Sequence, residues 1–164
     1  MNGMLINKRG VNNKTWDLII EDVYRFLECL PDGCEIAGEN GEGKPVFSKK
    51  EIIFNGKFPN HGTPIIIEHY FKSVANLKIK THPIMRVIYF AKNNKPYDVL
   101  SKCLMLSCEH HSGGVMKIFS DQSFVDWKNA IALYEYAVER KVPEVVKSML
   151  KTKKLKKIVK NGQI

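Results

Sequence analysis

The chain is expected to fold as a single α+β domain, a largely antiparallel sheet with helices packed on one face. Three observations carry this expectation. Residues 15–30 place Trp16, Ile19, Ile20, Val23, Tyr24, Phe26, Leu27 and Leu30 at spacings of three and four, the apolar stripe of an amphipathic helix. Between residues 46 and 91 lie several short runs rich in β-branched and aromatic residues, separated by turn dipeptides. The connections between those runs are too short for the crossovers that a parallel sheet needs. Helix, strands, helix, strand, helix is the order of an α+β domain.

Residues 1–12 (MNGMLINKRGVN) show no sustained periodicity and read as a loose arm. The first helix follows, with Thr15 as N-cap, Asp17 in the first turn and Pro31-Asp32-Gly33 as its stop. Cys34–Ala37 is a short apolar run. Gly38–Pro45 holds three glycines and a proline and reads as a hairpin turn. Val46-Phe47, Glu51–Asn55 and Thr63–Tyr70 read as strands, with Asn55-Gly56 and Asn60-His61-Gly62 as turns. Residues 71–81 are ambiguous, and Pro83–Ala91 is a further strand.

Pro96 is well placed to open a second helix carrying Val99, Leu100, Cys103, Leu104 and Leu106, ending near Gly113-Gly114. Val115–Phe119 reads as a strand. Ser123 and Asp126 have capping-box spacing ahead of a third helix striped by Trp127, Ile131, Tyr134 and Val138, which Pro143 ends. The domain therefore spans residues 13–143, and residues 144–164 form a lysine-rich tail.

A chain of 164 residues can bury a core without staples. No apolar run approaches the roughly 18 residues of a membrane-spanning helix. Residues 1–14 carry no apolar segment of a secretory signal. The four cysteines lack CxxC spacing and sit mostly in apolar segments, the setting of reduced, buried thiols. Net charge is +9, yet seven lysines and no acid lie from Lys147 onward. Without that stretch, 19 basic residues face 17 acidic ones, so the basicity belongs to the tail and not to a face of the fold.

Residues with chemistry are present, but their spacing singles out no catalytic site. The five histidines form no HExxH or Cys–His zinc pattern, and nothing points to a metal or a cofactor. His110-His111 falls at a helix C-terminus, where imidazolium complements the dipole. Gly38–Pro45 lacks the phosphate-loop spacing, with Pro45 where Ser or Thr would stand. A small hydrolase or nuclease built on Asp98, Asp121 and a histidine is one alternative reading.

An anion site is the candidate with a physical basis. Lys92, Asn93, Asn94, Lys95 and Tyr97 precede a helix start, whose free N–H groups favour a phosphate-bearing ligand. Lys147, Lys151, Lys153, Lys154, Lys156, Lys157 and Lys160 are a second candidate, for nucleic acid or an acidic partner. That tail has no aromatic residue on which bases could stack.

Several segments resemble small accessory proteins of tailed bacteriophages. They are Ile52-Ile53-Phe54-Asn55-Gly56 with Gly62-Thr63, Phe90-Ala91-Lys92 with Lys95-Pro96-Tyr97-Asp98 opening a helix that ends in His110-His111, and Ser120-Asp121 with Asp126-Trp127 and Leu133-Tyr134. The resemblance runs from Ile52 to Tyr136, and its most distinctive parts are Lys-Pro-Tyr-Asp and the later Asp-Trp. It implies a setting and no catalytic residue: a phage-encoded binding protein in the bacterial cytoplasm. Its expected role is counter-defence, by sequestering a nucleotide signal or blocking a host protein.

Overall fold

The structure, a computed structural model, describes residues 2–7, 10–69, 85–90, 95–144 and 146–147. Its elements in chain order are β1 (Asn2–Asn7), α1 (Asn13–Glu28), β2 (Ile36–Ala37), β3 (Val46–Phe47), β4 (Glu51–Gly56), β5 (Ile65–Glu68), β6 (Met85–Phe90), α2 (Asp98–His111), β7 (Met116–Ser120) and α3 (Phe124–Ala137). The α+β class is as expected, with every strand pairing antiparallel.

The N-terminal segment corrects the expectation of a loose arm. β1 is the central strand of a three-stranded sheet, ordered β6-β1-β7. Met4 faces Ile88 on one side and Ile118 on the other, so both edges of β1 are hydrogen-bonded. Met4 and Ile6 are wholly buried. Their period-two spacing is a strand signal, but a run of six residues with polar ends gains its stability only from partners about 80 and 115 residues away. Side chains then lock it in place. Asn2 Nδ2 donates to Gln122 Oε1 at 2.6 Å, and Ser120 Oγ donates to Asn2 Oδ1 at 2.6 Å. Trp127 Nε1 on α3 donates to Ser120 Oγ at 3.2 Å.

β4 organises the second sheet and pairs with β2, β3 and β5. The glycine-rich segment is therefore not a hairpin turn in the expected sense, because β2 and β3 on either side of it add to β4 and not to each other. Asn55, buried at the end of β4, ties the surrounding loops together. Its Nδ2 donates to the carbonyls of Glu39 and Gly62, and its Oδ1 accepts from the N–H groups of Gly56 and Gly62. All four of its side-chain bonding positions are thereby filled.

The helices complete one core. α1 buries Trp16, Ile19, Val23 and Phe26. It starts earlier than expected, because Asn12, in extended conformation, caps it by accepting the Thr15 N–H at 2.9 Å. α2 is buried at every residue from Leu100 to Cys108, since it packs against α1, α3 and β7 at once. Its stop is the expected one: Gly113 follows the C-cap at φ +58°, a left-handed conformation that glycine adopts without a Cβ clash. In α3 the Ser123 N–H and Oγ both donate to Asp126 Oδ2 at 2.8 Å, engaging the pair that the spacing picked out.

The boundary of the domain also moves. Val142 and Val146 are buried, and Lys147 Nζ lies 2.9 Å from Glu135 Oε1. The packed body thus extends past Pro143 to Lys147. No helix among the described residues is long and apolar enough to cross a membrane.

Candidate functional site

The anion site expected at residues 92–97 is only partly within the described residues: Lys92, Asn93 and Asn94 lie outside them. Lys95 is half-buried, and its carbonyl accepts the Asp98 N–H at 2.9 Å. Tyr97 corrects the expectation that it meets a ligand, because it is 1% exposed and its hydroxyl donates to the Thr63 carbonyl at 3.2 Å. Pro96 and Tyr97 form a turn and α2 begins at Asp98. The Asp98 carboxylate then occupies the first turn, paired with Lys102 at 2.7 Å, where it opposes a second anion. Of the tail lysines, Lys147 is engaged by Glu135, while Lys151, Lys153, Lys154, Lys156, Lys157 and Lys160 lie outside the described residues.

The segments that carried the resemblance meet in space, and they meet as structure. A Cβ on Gly56 would sit 2.5 Å from a Tyr97 ring carbon, so only glycine lets that ring lie against β4. Lys102 joins the other pieces: it pairs with Asp98, donates to the Asp126 carbonyl at 2.8 Å and lies 5.8 Å from the Trp127 ring centroid. Asn55-Gly56, Gly62-Thr63, Lys95–Asp98 and Asp126-Trp127 are thus parts of one junction around the buried Asn55, Tyr97 and Trp127. The Asp98 carboxylate of the hydrolase reading is already committed within it.

A second polar cluster was not singled out from the sequence. Asp22, 2% exposed, projects from α1 into the interface with α2. Its Oδ2 accepts from Ser107 Oγ at 2.8 Å and faces His111 Nε2 at 2.8 Å. Its Oδ1 accepts a short bond from Arg140 Nη2. Glu139 adopts left-handed backbone at φ +52° just beyond α3, at the turn that precedes Arg140. Asp, His and Ser together invite comparison with a nucleophilic triad, but the connectivity differs. Ser107 donates to the acid and not to the imidazole, and it is wholly buried, so no base is placed to activate it. The cluster is a buried ion pair joining α1, α2 and the segment after α3. Its signal in the sequence is an acid within an apolar stripe, three residues after Ile19 and four before Phe26.

Beside this cluster lies a cavity of about 210 Å³, lined by Leu106, Glu109, His110, Tyr134, Val142, Pro143 and Val146. One wall exists because of Glu135. Its carboxylate accepts from the Val142 N–H, Lys147 Nζ and Lys141 Nζ at 2.9–3.2 Å, holding Lys141, Val142 and Lys147 back against α3. Burial raises the pKa of Glu135, but these donors outweigh it and hold the group down at about 2.

Tyr134, one of the lining residues, carries an unusual group that is closed to water. Tyr134 is wholly buried, yet its hydroxyl has no hydrogen-bond partner among the described residues. Burial, opposed by the nearby Arg140 charge, pushes its pKa up to about 12, so it remains a neutral phenol. Glu109 Oε2 accepts the Ile118 N–H at 2.5 Å, and burial raises its pKa against that bond and the Lys117 charge. Burial and then the charges of Arg140 and His111 lower the pKa of His110, favouring neutral imidazole.

The thiols offer no nucleophile here. Burial pushes Cys34 up to about 11 and pushes Cys103 and Cys108 higher still, the state of inert core thiols. Among the described residues no group of three or more metal-ligating side chains is gathered. No protein-family model, curated protein or solved structure gives a significant match to this chain.

Proposed function

We propose that this protein is a phage accessory protein that acts in the bacterial cytoplasm by binding, in counter-defence, and that its target is a host protein and not a nucleotide signal. The observation that carries the choice of target is the size and lining of the cavity between α2, α3 and Val142, Pro143 and Val146. At about 210 Å³ it falls below the roughly 300–1,000 Å³ typical of sites that enclose whole small molecules. Apolar walls suit a single anchoring side chain from a partner surface.

Two further features favour this reading. The larger open cleft, about 450 Å³, is lined by Ile36, Ala37, Gly41, Glu42, Gly43, Lys57 and Phe58. Its one lysine is paired with Glu35 at 3.3 Å and it includes an acid, a poor match to phosphate. Asp98 and His111 are both engaged in ion pairs within the fold, which speaks against a hydrolase built on Asp98, Asp121 and that histidine. Binding of nucleic acid through the lysine tail is the alternative, and it would show a steep salt dependence.

Purification of the tagged full chain from a bacterial host, followed by native mass spectrometry, tests the proposal. One host protein in fixed stoichiometry, retained at moderate salt, is the expected result. Release of a nucleotide on denaturing the preparation, or co-purification of nucleic acid alone, would overturn it.

A further inference from the structure

One nitrogen of the buried cluster on Asp22 faces two neighbours with incompatible demands. His111 Nε2 lies 2.8 Å from Asp22 Oδ2 and 2.9 Å from Arg140 Nη1. The carboxylate oxygen only accepts, and the guanidinium nitrogen only donates. A ring nitrogen carries either a proton or a lone pair, so it serves one of these neighbours at a time. With the lone pair on Nε2, Arg140 donates to it, and Asp22 is held by Ser107 Oγ and Arg140 Nη2. With a proton on Nε2, the ring donates to Asp22 and turns an N–H towards the guanidinium.

Charge sharpens the choice. Around a neutral ring, Asp22 and Arg140 balance each other. A second ring proton obliges Nε2 to donate, whichever nitrogen held the first. It also sets two positive charges side by side against one negative charge, where shielding from water strengthens the repulsion. The three side chains differ in their access to water. Asp22 is 2% exposed, His111 9% and Arg140 29%, so Arg140 is the member best placed to carry its charge into solvent on a long stem. Cys108, Glu109 and His110 on α2 and Tyr134 on α3 are the other titratable groups around the cluster among the described residues. Burial keeps the Cys108 thiol and the Tyr134 phenol neutral through the range in which histidines charge. Burial raises Glu109 and lowers His110, whose ring stands edge-on to His111 with centroids 5.0 Å apart.

The geometry points to His111 as the proton-operated member of a latch: charging its ring hands Asp22 from Arg140 to His111 and turns Arg140 outward, untying the turn after α3 from α1. Helices α1 and α2 stay joined in both states, because Ser107 donates to Asp22 throughout. The untied turn includes Glu139, in left-handed backbone, and leads to Val142 and Pro143, two walls of the cavity. Glu135 holds Val142 independently, so the latch frees the turn and leaves the next residues in place.

The test is nitrogen-15 NMR of the labelled full chain, followed from about pH 8 down to about pH 5, the range in which histidines charge. At the upper end Arg140 should give resolved Nη–H signals, its guanidinium held still by Asp22 and His111. At the lower end those signals should be lost, in step with titration of the His111 ring nitrogens. Exchange of N–H hydrogens with water slows towards acid, so the loss reports the broken contact. His111→Gln offers a donor and an acceptor on separate atoms and does not titrate, so the Arg140 signals should persist at both ends. His110→Gln and Glu109→Gln change neighbours outside the three-way contact, and each should leave the transition in place.

Arg140 signals that persist while His111 titrates would overturn the inference, because the site would then hold both cations. A His111 ring that stays neutral across the whole range would overturn it as well. So would a transition that survives His111→Gln, or one abolished by His110→Gln or Glu109→Gln, since another group would then be the switch. The unmodified chain decides the first two outcomes alone, so the latch stays testable if His111→Gln does not fold.

Discussion

At the scale of single residues, the side chains that look most like chemistry hold the molecule together. Asp22 meets Ser107, His111 and Arg140 in a setting almost closed to water. Removing one member of a buried ion pair leaves the other charge uncompensated, which costs more than the pair's net contribution to stability. Asp22→Ala is therefore expected to lower unfolding free energy by about 3 kcal/mol in urea denaturation. A catalytic acid would show the opposite pattern, with lost turnover and an unchanged midpoint. How much of this was legible in the sequence varies residue by residue. Ser123 and Asp126 announce their contact through local spacing, because a cap is formed within one turn. Tyr97 was misplaced because nothing local shows that its ring lies on Gly56 and its hydroxyl reaches Thr63, 34 residues back. Glu109 and His110 gain meaning only once the chain returns at Val142, and no periodicity encodes that return.

At the scale of elements, long-range pairing decided what the sequence pattern left open. The helices were readable because their stripes recur every three or four residues and their stops are glycine or proline. β1 was not, since its partners are β6 and β7, far along the chain. A charge at Met4 or Ile6 would face the core from the central strand. Ile6→Asp is expected to abolish the cooperative thermal transition seen by circular dichroism, whereas the same change in a loose arm would be silent. The return strap over α3 has its own signature. Glu135 has a depressed pKa in the folded chain, so its stabilisation is present above the unfolded value near 4.5 and is lost as pH falls through about 2. Amide exchange at Val142 and Val146 should quicken across that acid window ahead of α2. Glu135→Gln should bring the quickening to neutral pH, and a strap indifferent to this change would disprove the role given to the carboxylate.

At the scale of the whole molecule, the two antiparallel sheets and three helices among the described residues enclose one core, with α2 at its centre. Cys34, Cys103 and Cys108 lie within that core, and Asp98, a carboxylate considered for catalysis, is paired with Lys102. The phage-like segments, scattered from Ile52 to Tyr136, are largely brought together by Gly56, Tyr97 and Lys102 as a folding junction. This is why the sequence could reach a fold but no mechanism. The cavity beside Tyr134 has apolar walls from Leu106, Val142, Pro143 and Val146, and Glu109 and His110 also line it. The claim that function lies in binding through it is tested most directly by calorimetry of the host partner against wild type and the Glu109→Gln/His110→Ala double variant. Affinity should fall by at least about tenfold while the melting temperature holds within a few degrees. Unchanged affinity in a folded double variant would contradict the account.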